Sequence, residues 1–134
     1  MHNQIAVFNL IPNGPLYGTD INHISEISHI PNITPLPGVD AEGIFNFRGK
    51  VIPVYDIGRI LGQKSEQGKI MVVEINQNAV GLLVYDVLEV YTVDENHIQP
   101  SPIEQPYITG IAQIEEDVIV VIQLENLINQ RGGN

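Results

Sequence analysis

Residues 43–61 read GIFNFRGKVIPVYDIGRIL, and this run decides the fold. Ile44, Phe45 and Phe47 predict a first strand, and Arg48-Gly49-Lys50 a tight turn. Gly49 takes φ > 0 without a steric cost, so a hairpin closes there. Val51, Ile52, Val54, Tyr55 and Ile57 predict the second strand. Pro53 lies inside it and has no N–H for a ladder, which assigns this strand to an edge or to a place beside a bulge. Asp56 caps a short helix with Ile57, Ile60 and Leu61 on its buried side, and Gly62 ends it.

The run recurs 67 residues later, where 110–129 reads GIAQIEEDVIVVIQLENLIN. Five pairs are identical at that offset: Gly43/Gly110, Ile44/Ile111, Val51/Val118, Ile52/Ile119 and Val54/Val121. The pairs Phe47/Ile114, Tyr55/Ile122, Ile57/Leu124, Ile60/Leu127 and Leu61/Ile128 keep the apolar pattern in step. A weaker echo lies upstream: Ile24-Ser25-Glu26-Ile27 matches Val87-Leu88-Glu89-Val90 at an offset of 63, and Pro37 then matches Pro100. Apolar alternation alone makes β-proteins look alike, but it does not account for matched Gly, Glu and Pro. Two copies are too few for a solenoid. The expectation is one domain over 1–134, made of two similar β-rich subdomains with organising hairpins at 43–62 and 110–129.

The remaining segments fit that plan. Residues 4–10 and 16–19 predict strands around a Pro- and Gly-bearing turn. Over 20–30, isoleucine recurs every third residue. Asp20 as a cap favours a helix, whereas the β-branched residues and the echo favour a bulged strand, which is the reading adopted. Residues 31–37 hold three prolines and predict an extended connection. Residues 70–75 predict a strand, turned by Asn76-Gln77-Asn78 into a long segment over 79–93, with Gly81 at a bend or bulge. Residues 94–105 predict loop. Residues 107–114 and 118–124 predict the second hairpin, turned by Glu115-Glu116-Asp117. A helix over 125–130 follows, and 131–134 should fray. About ten short strands with two or three short helices predict an all-β fold of small closed or nearly closed barrels.

Composition narrows the function. The chain has 134 residues and no cysteine, so disulfides and thiolate metal sites are excluded. No signal peptide is visible and the apolar runs are far shorter than a membrane span, so no direct membrane insertion is expected. A net charge of −10 makes duplex nucleic acid a poor partner. Five of the six cations lie between Arg48 and Lys69. This is either ordinary solubility charge or a positive spot on an acidic body that orients a partner.

Catalytic patterns are missing: there is no GxSxG, P-loop or GxGxxG. His2, His23, His29 and His97 lack the spacing of a helical zinc pair, and Glu115-Glu116-Asp117 lacks the alternation and glycine of a calcium loop. The enzyme alternative is a small hydrolase using Asp40, Glu42 and Asp56. The reading adopted is no enzyme, no cofactor and no metal. Arg48 stands out instead, a guanidinium on a turn between two apolar strands. Glu26, flanked by Ile24 and Ile27, is its natural ion-pair partner by charge, although spacing alone does not bring the two together.

These residues resemble the CheW family of chemotaxis coupling proteins. The matching pieces are Tyr17-Gly18-Thr19-Asp20-Ile21, Ile24-Ser25-Glu26-Ile27, Ile33-Thr34-Pro35-Leu36-Pro37-Gly38, the run from Gly43 to Asp56, Val80-Gly81-Leu82-Leu83-Val84, Ile98-Gln99-Pro100 and Tyr107-Ile108-Thr109-Gly110. They are collinear and cover nearly the whole chain. The resemblance implies two five-stranded SH3-like barrels in a cytoplasmic adaptor without enzymatic activity. It implies two partners, the regulatory domain of a CheA-type histidine kinase and the cytoplasmic tip of methyl-accepting chemoreceptors. Related coupling proteins serve type IV pilus twitching and other chemosensory pathways. By matched position, Arg48 and Gly49 correspond to the hallmark turn, and Ile24, Glu26 and Ile27 to a partner-contacting segment. Gly43 and Gly81 correspond to structural glycines, and Pro53 and Gly110 are structural candidates from the strand pattern and the repeat. Tyr85 departs from the acidic residue the family often carries there.

Overall fold

The computed structural model describes residues 2–130; the expected fraying of 131–134 lies outside them. The elements in chain order are β1 (His2–Asn9), β2 (Leu16–Asp20), a 3-10 turn (Ile21–His23), β3 (Ile24–His29), β4 (Gly43–Phe47), β5 (Lys50–Asp56) and α1 (Ile57–Leu61). Then come β6 (Lys69–Ile75), β7 (Asn78–Val84), β8 (Asp86–Asp94), a second 3-10 turn (Glu95–His97), β9 (Ile98–Gln99), β10 (Ile108–Ile114), β11 (Asp117–Ile122) and α2 (Leu124–Gln130). The chain is mainly β, in two sheets.

The sheets are built alike. One has the order β3-β6-β7-β5-β4 and the other β8-β1-β2-β11-β10-β9. Each contains one parallel pair at the same point, Val54 opposite Gly81 in the first and Val121 opposite Gly18 in the second. The sixth strand, β9, has a counterpart in the first sheet as well. Thr34 bridges Ile44 just as Gln99 pairs with Ile111, 67 residues on. The two halves are therefore not the N- and C-terminal halves of the sequence. β1 and β2 cross over to complete the sheet of β8–β11, while β3–β7 form the other.

Three apolar clusters hold this together. Phe45, Ile52, Val54, Ile70, Val72 and Leu83 fill the concave side of the first sheet. Ile5, Val7, Val93, Ala112, Ile119 and Val121 do the same in the second. A third cluster joins them, with Tyr55, Ile57, Met71, Val73 and Leu82 from one side and Phe8, Tyr17, Ile122, Leu124 and Leu127 from the other. In β6, Ile70 and Val72 point into the first cluster while Met71 and Val73 point into the third. A strand buried on both faces reads as a continuous apolar run, as KIMVVEI does.

Several sequence expectations are corrected here. The segment 79–93 breaks at Tyr85 into β7 and β8, and the register of β6 and β7 runs through Gly81 without a shift. Gly81 marks a close approach instead: a Cβ there would stand 2.7 Å from Ile70 Cδ1. The strand carrying Pro53 is not at an edge, since β5 lies between β7 and β4. Pro53 is tolerated because the parallel pairing begins one residue later, at Val54. Its partner Ile44 exchanges both backbone bonds with Thr34 (2.9 Å each), so β4 does not need the missing N–H. Residues 20–29 combine the two weighed alternatives, a 3-10 turn capped by Asp20 and then a bulged strand. The bulge itself is duplicated. The register skips Ser25 in β3 and Leu88 in β8, which stand at the offset of 63 read from the echo. The pairing of Pro37 with Pro100 does not hold. Ile33 and Thr34 crowd Gly43 as Ile98 and Gln99 crowd Gly110, which puts Pro35 opposite Pro100.

Candidate functional site

The organising hairpin ends in a turn with φ = 52° at Arg48 and 85° at Gly49, the two left-handed residues of a type I′ connection. Asn46 Oδ1 accepts the Gly49 N–H at 2.9 Å and fixes the turn. Nothing stands within 4 Å of a Cβ added at Gly49, so backbone conformation is what reserves the position for glycine. The Arg48 guanidinium lies 4.8 Å from the centre of the Phe47 ring.

From there Arg48 Nη2 donates to Glu26 Oε1 at 2.7 Å. The pair joins the two outer strands of the first sheet, β3 and β4, and draws that sheet toward closure. The Arg48 side chain is 67% exposed and that of Glu26 38%, so the contact contributes well under about 1 kcal/mol. It orders the surface more than it stabilises the fold. Ile27, 40% exposed, follows Glu26 on the same strand. Ile24 is different: it is partly buried and packs against the central cluster. The expected set thus divides into a surface group (Glu26, Ile27, Arg48, Gly49) and one residue, Ile24, that anchors β3 from below.

Sequence reading missed the most exposed apolar residue of the hairpin, Val51, at 66%. Its copy Val118 is 55% exposed. Strand alternation held the signal, because Ile52 and Val54 point inward and their neighbour must point out. Val90, the counterpart of Ile27, and the bulge residue Leu88 are also exposed.

The second half carries different chemistry at the same places. Glu89 stands where Glu26 does, and Glu115 (φ 56°) where Arg48 does. Tyr91 OH donates to Glu89 at 2.9 Å. The Tyr91 phenol is held above its usual range, first by that bond and by desolvation, then by the charges of Glu89, Asp117 and Glu115. A carboxylate bound to a phenol therefore stands where the first half has an ion pair.

Asp40, Glu42 and Asp56 do not converge on a cavity. Glu42 bonds Arg59 at 2.7 Å. Asp56 is buried and accepts from Gly58 N, Ser65 Oγ and Gln67 Nε2. Neither these nor Asp40 line the groove of about 600 Å³ that runs between β5, the β6–β7 turn and the end of α2. No helix among the described residues is long and apolar enough to cross a membrane.

A duplicated pair of small, curled β-sheets with an ordered charged turn and exposed apolar edges defines a docking protein. Residues 7–132 match the CheW-like domain family, and the chain belongs to it. It is 31% identical to a chemotaxis protein CheW of Rhizobium meliloti, over 81% of this chain and 77% of the relative. It is 30% identical to the protein PilI of Pseudomonas aeruginosa, over 80% of this chain and 66% of the relative. Among solved structures it is similar to the scaffolding protein TtCheW of Thermoanaerobacter tengcongensis, with TM-score 0.84, 36% identity and coverage of 95% and 88% of the two chains.

Proposed function

We propose that this chain is a non-enzymatic cytoplasmic adaptor, one domain of two interlocked subdomains. It couples the cytoplasmic tips of methyl-accepting chemoreceptors to the regulatory domain of a CheA-type histidine kinase. The observation that carries this reading is the 2.7 Å contact of Arg48 with Glu26, which ties the hallmark turn to the β3 segment at the surface; Ile27 is exposed on the same strand. Family membership and the likeness to a scaffolding protein support it. Ile24 and Gly49 act in this surface by shaping it, Gly43, Pro53 and Gly81 by holding the strands of the same sheet, and Gly110 by doing the same for β10 in the other. The PilI relative favours a second reading, a coupling module of a pilus-driven or other motility pathway that docks a partner other than the kinase.

Co-sedimentation of purified protein with a CheA-type kinase and receptor-bearing membranes tests the first reading. Arg48→Ala should reduce co-sedimentation several-fold while circular dichroism stays unchanged. Binding of the unaltered chain to neither component rejects the kinase reading, and binding undiminished by Arg48→Ala removes the turn from the site.

A further inference from the structure

One end of the second sheet is polar where the same end of the first is apolar. The parallel pairs Val54–Gly81 and Val121–Gly18 align the two sheets, so Thr19 and Asp20 stand where Leu82 and Leu83 do. Leu83 lies opposite Ile70, and both are buried in the interior cluster of the first sheet. Asp20 lies opposite Ile5, which is buried in the interior cluster of the second. Directly paired residues project from the same face of a sheet, so the Asp20 side chain is on the concave side beside Ile5. A carboxylate thus takes the place of a core leucine, and a cavity of about 280 Å³ opens there. Ile5, Ile98 and Val121 are its apolar lining, and Asn3, Thr109 and Gln123 join Asp20 in its wall. The counterpart of Gln123 in the first sheet is Asp56, which the loop after α1 engages through Ser65 and Gln67. Polar residues at positions that the fold itself fills with leucine are not there for packing.

We propose that this cavity binds a small primary ammonium ion, with Asp20 as its counter-ion and the alkyl part against Ile5, Ile98 and Val121. Asp20 is half-buried, and its Oδ1 accepts the Asn22 N–H at 2.9 Å. It makes no ion pair among the described residues. The surroundings select the sign of the ligand. Residues 2–20 and 86–130, which carry this sheet, hold ten anions and no lysine or arginine, so an anion is repelled. An ammonium donates three hydrogen bonds, and Asp20, Asn3 and Thr109 bring oxygens that accept them. Thr19 also lines the cavity, and its buried hydroxyl has no partner among the described residues. The volume is at the lower end for ligand sites, which restricts the occupant to a few heavy atoms. The inference is independent of the adaptor reading, because none of Ile24, Glu26, Ile27, Arg48 and Gly49 lines the cavity.

Titration of the full chain with n-butylammonium, followed by amide NMR shifts, tests this. Salt at about 0.15 M screens exposed charges beyond roughly 8 Å and acts less on a half-buried one, so general attraction to an acidic surface is suppressed. The expected result is saturable shifts at Asn3, Asp20 and Thr109. Butanol has the same length without the charge and should bind at least about tenfold more weakly, and butyrate should not bind. Asp20→Asn should lower the affinity for n-butylammonium about tenfold. Asparagine still caps the Asn22 N–H, so only the charge is lost. Asp20→Leu gives the second sheet the residue type of the first and should abolish binding by filling the cavity. Butanol or butyrate binding as tightly as the ammonium overturns the proposal. So do shifts that never saturate, shifts confined to Glu115–Asp117, or an affinity unchanged in Asp20→Asn. The ligand series on the unaltered chain decides the matter where a variant does not fold.

Discussion

The two halves of this molecule use one backbone plan to different ends. In the first, an outer-strand glutamate meets an arginine on the hairpin turn; in the second, the matching glutamate meets a tyrosine, and the turn carries a glutamate where the first has its arginine. Glu26–Arg48 lies at 2.7 Å, whereas Glu89 accepts from Tyr91 OH at 2.9 Å, and the charge of Glu115 also acts on that phenol. The fold forms equally in both, so the ion pair is not what specifies it. In their interiors the halves share Ile52/Ile119 and Val54/Val121, and they share Gly43 and Gly110 against a crossing backbone. What they do not share is the charge of the hairpin tips, Arg48 and Lys50 in one and Glu115, Glu116 and Asp117 in the other.

That contrast breaks most visibly at the shared glycines. A Cβ at Gly43 would collide with the Thr34 carbonyl oxygen, and one at Gly110 would stand 2.6 Å from the Gln99 oxygen. Both obstacles are backbone and yield only by moving a strand. Gly43→Val and Gly110→Val should each lower stability by about 3 kcal/mol or more, read as a drop in the urea midpoint. Equal losses support a true structural repeat. A harmless Gly110→Val beside a damaging Gly43→Val would show that β9 and the Thr34 bridge are not equivalent.

The helix starts should diverge rather than agree. Asp56 is buried and accepts bonds from Gly58 N, Ser65 Oγ and Gln67 Nε2, stitching α1 to the loop that follows. Its counterpart Gln123 is exposed and accepts from Asn126 Nδ2 at 2.6 Å. Removing Asp56 leaves the buried Gly58 N–H and the half-buried Ser65 hydroxyl without this acceptor, at about 2 kcal/mol, while Gln123→Ala should cost less than about 1 kcal/mol. Thermal unfolding of the two single variants checks the order. A reversal would mean that the loop after α1 repacks freely.

Much of this was legible in the sequence because it is local. Hairpin alternation, the Asp56 cap, the Gly49 turn and the bulge near Ser25 all depend on residues within one or two turns of each other. Three things were not. The crossover of β1 and β2 rests on pairings such as Val121 with Gly18, which no local pattern encodes. The Pro37/Pro100 match failed because the repeat has three offsets, 67 in the hairpins, 63 in the bulged strands and 65 in the connection. Insertions between elements shift the register without changing the packing. The Glu26–Arg48 contact followed from charge alone until the curl of the sheet brought its outer strands together. Val51 and Val118 were read only as an identical pair of strand residues, and the pair is a shared exposed position.

The smallest effect sharpens the comparison most. Glu115→Arg gives the second half the residue type that the first half carries, opposite the matching glutamate. If the halves are equivalent in geometry, the new guanidinium should reach Glu89 and replace repulsion by attraction. The pair would be exposed, so the gain is only about 0.5 kcal/mol, or roughly 2 °C in the thermal midpoint for a domain of this size. Because the gain is electrostatic between exposed groups, it should shrink toward zero in 1 M salt, where screening acts over roughly 3 Å. The same substitution should lower the Tyr91 phenol toward its ordinary range, since one of the charges raising it is removed and reversed. A raised phenol favours the folded state below pH 10, and that contribution is lost as pH climbs through the folded value. The variant should therefore lose less stability in alkali than the unaltered chain. A midpoint insensitive to both salt and the substitution would mean that the second tip stands too far from β8 for charge to matter, and that the two halves are alike in their cores but not at their tips.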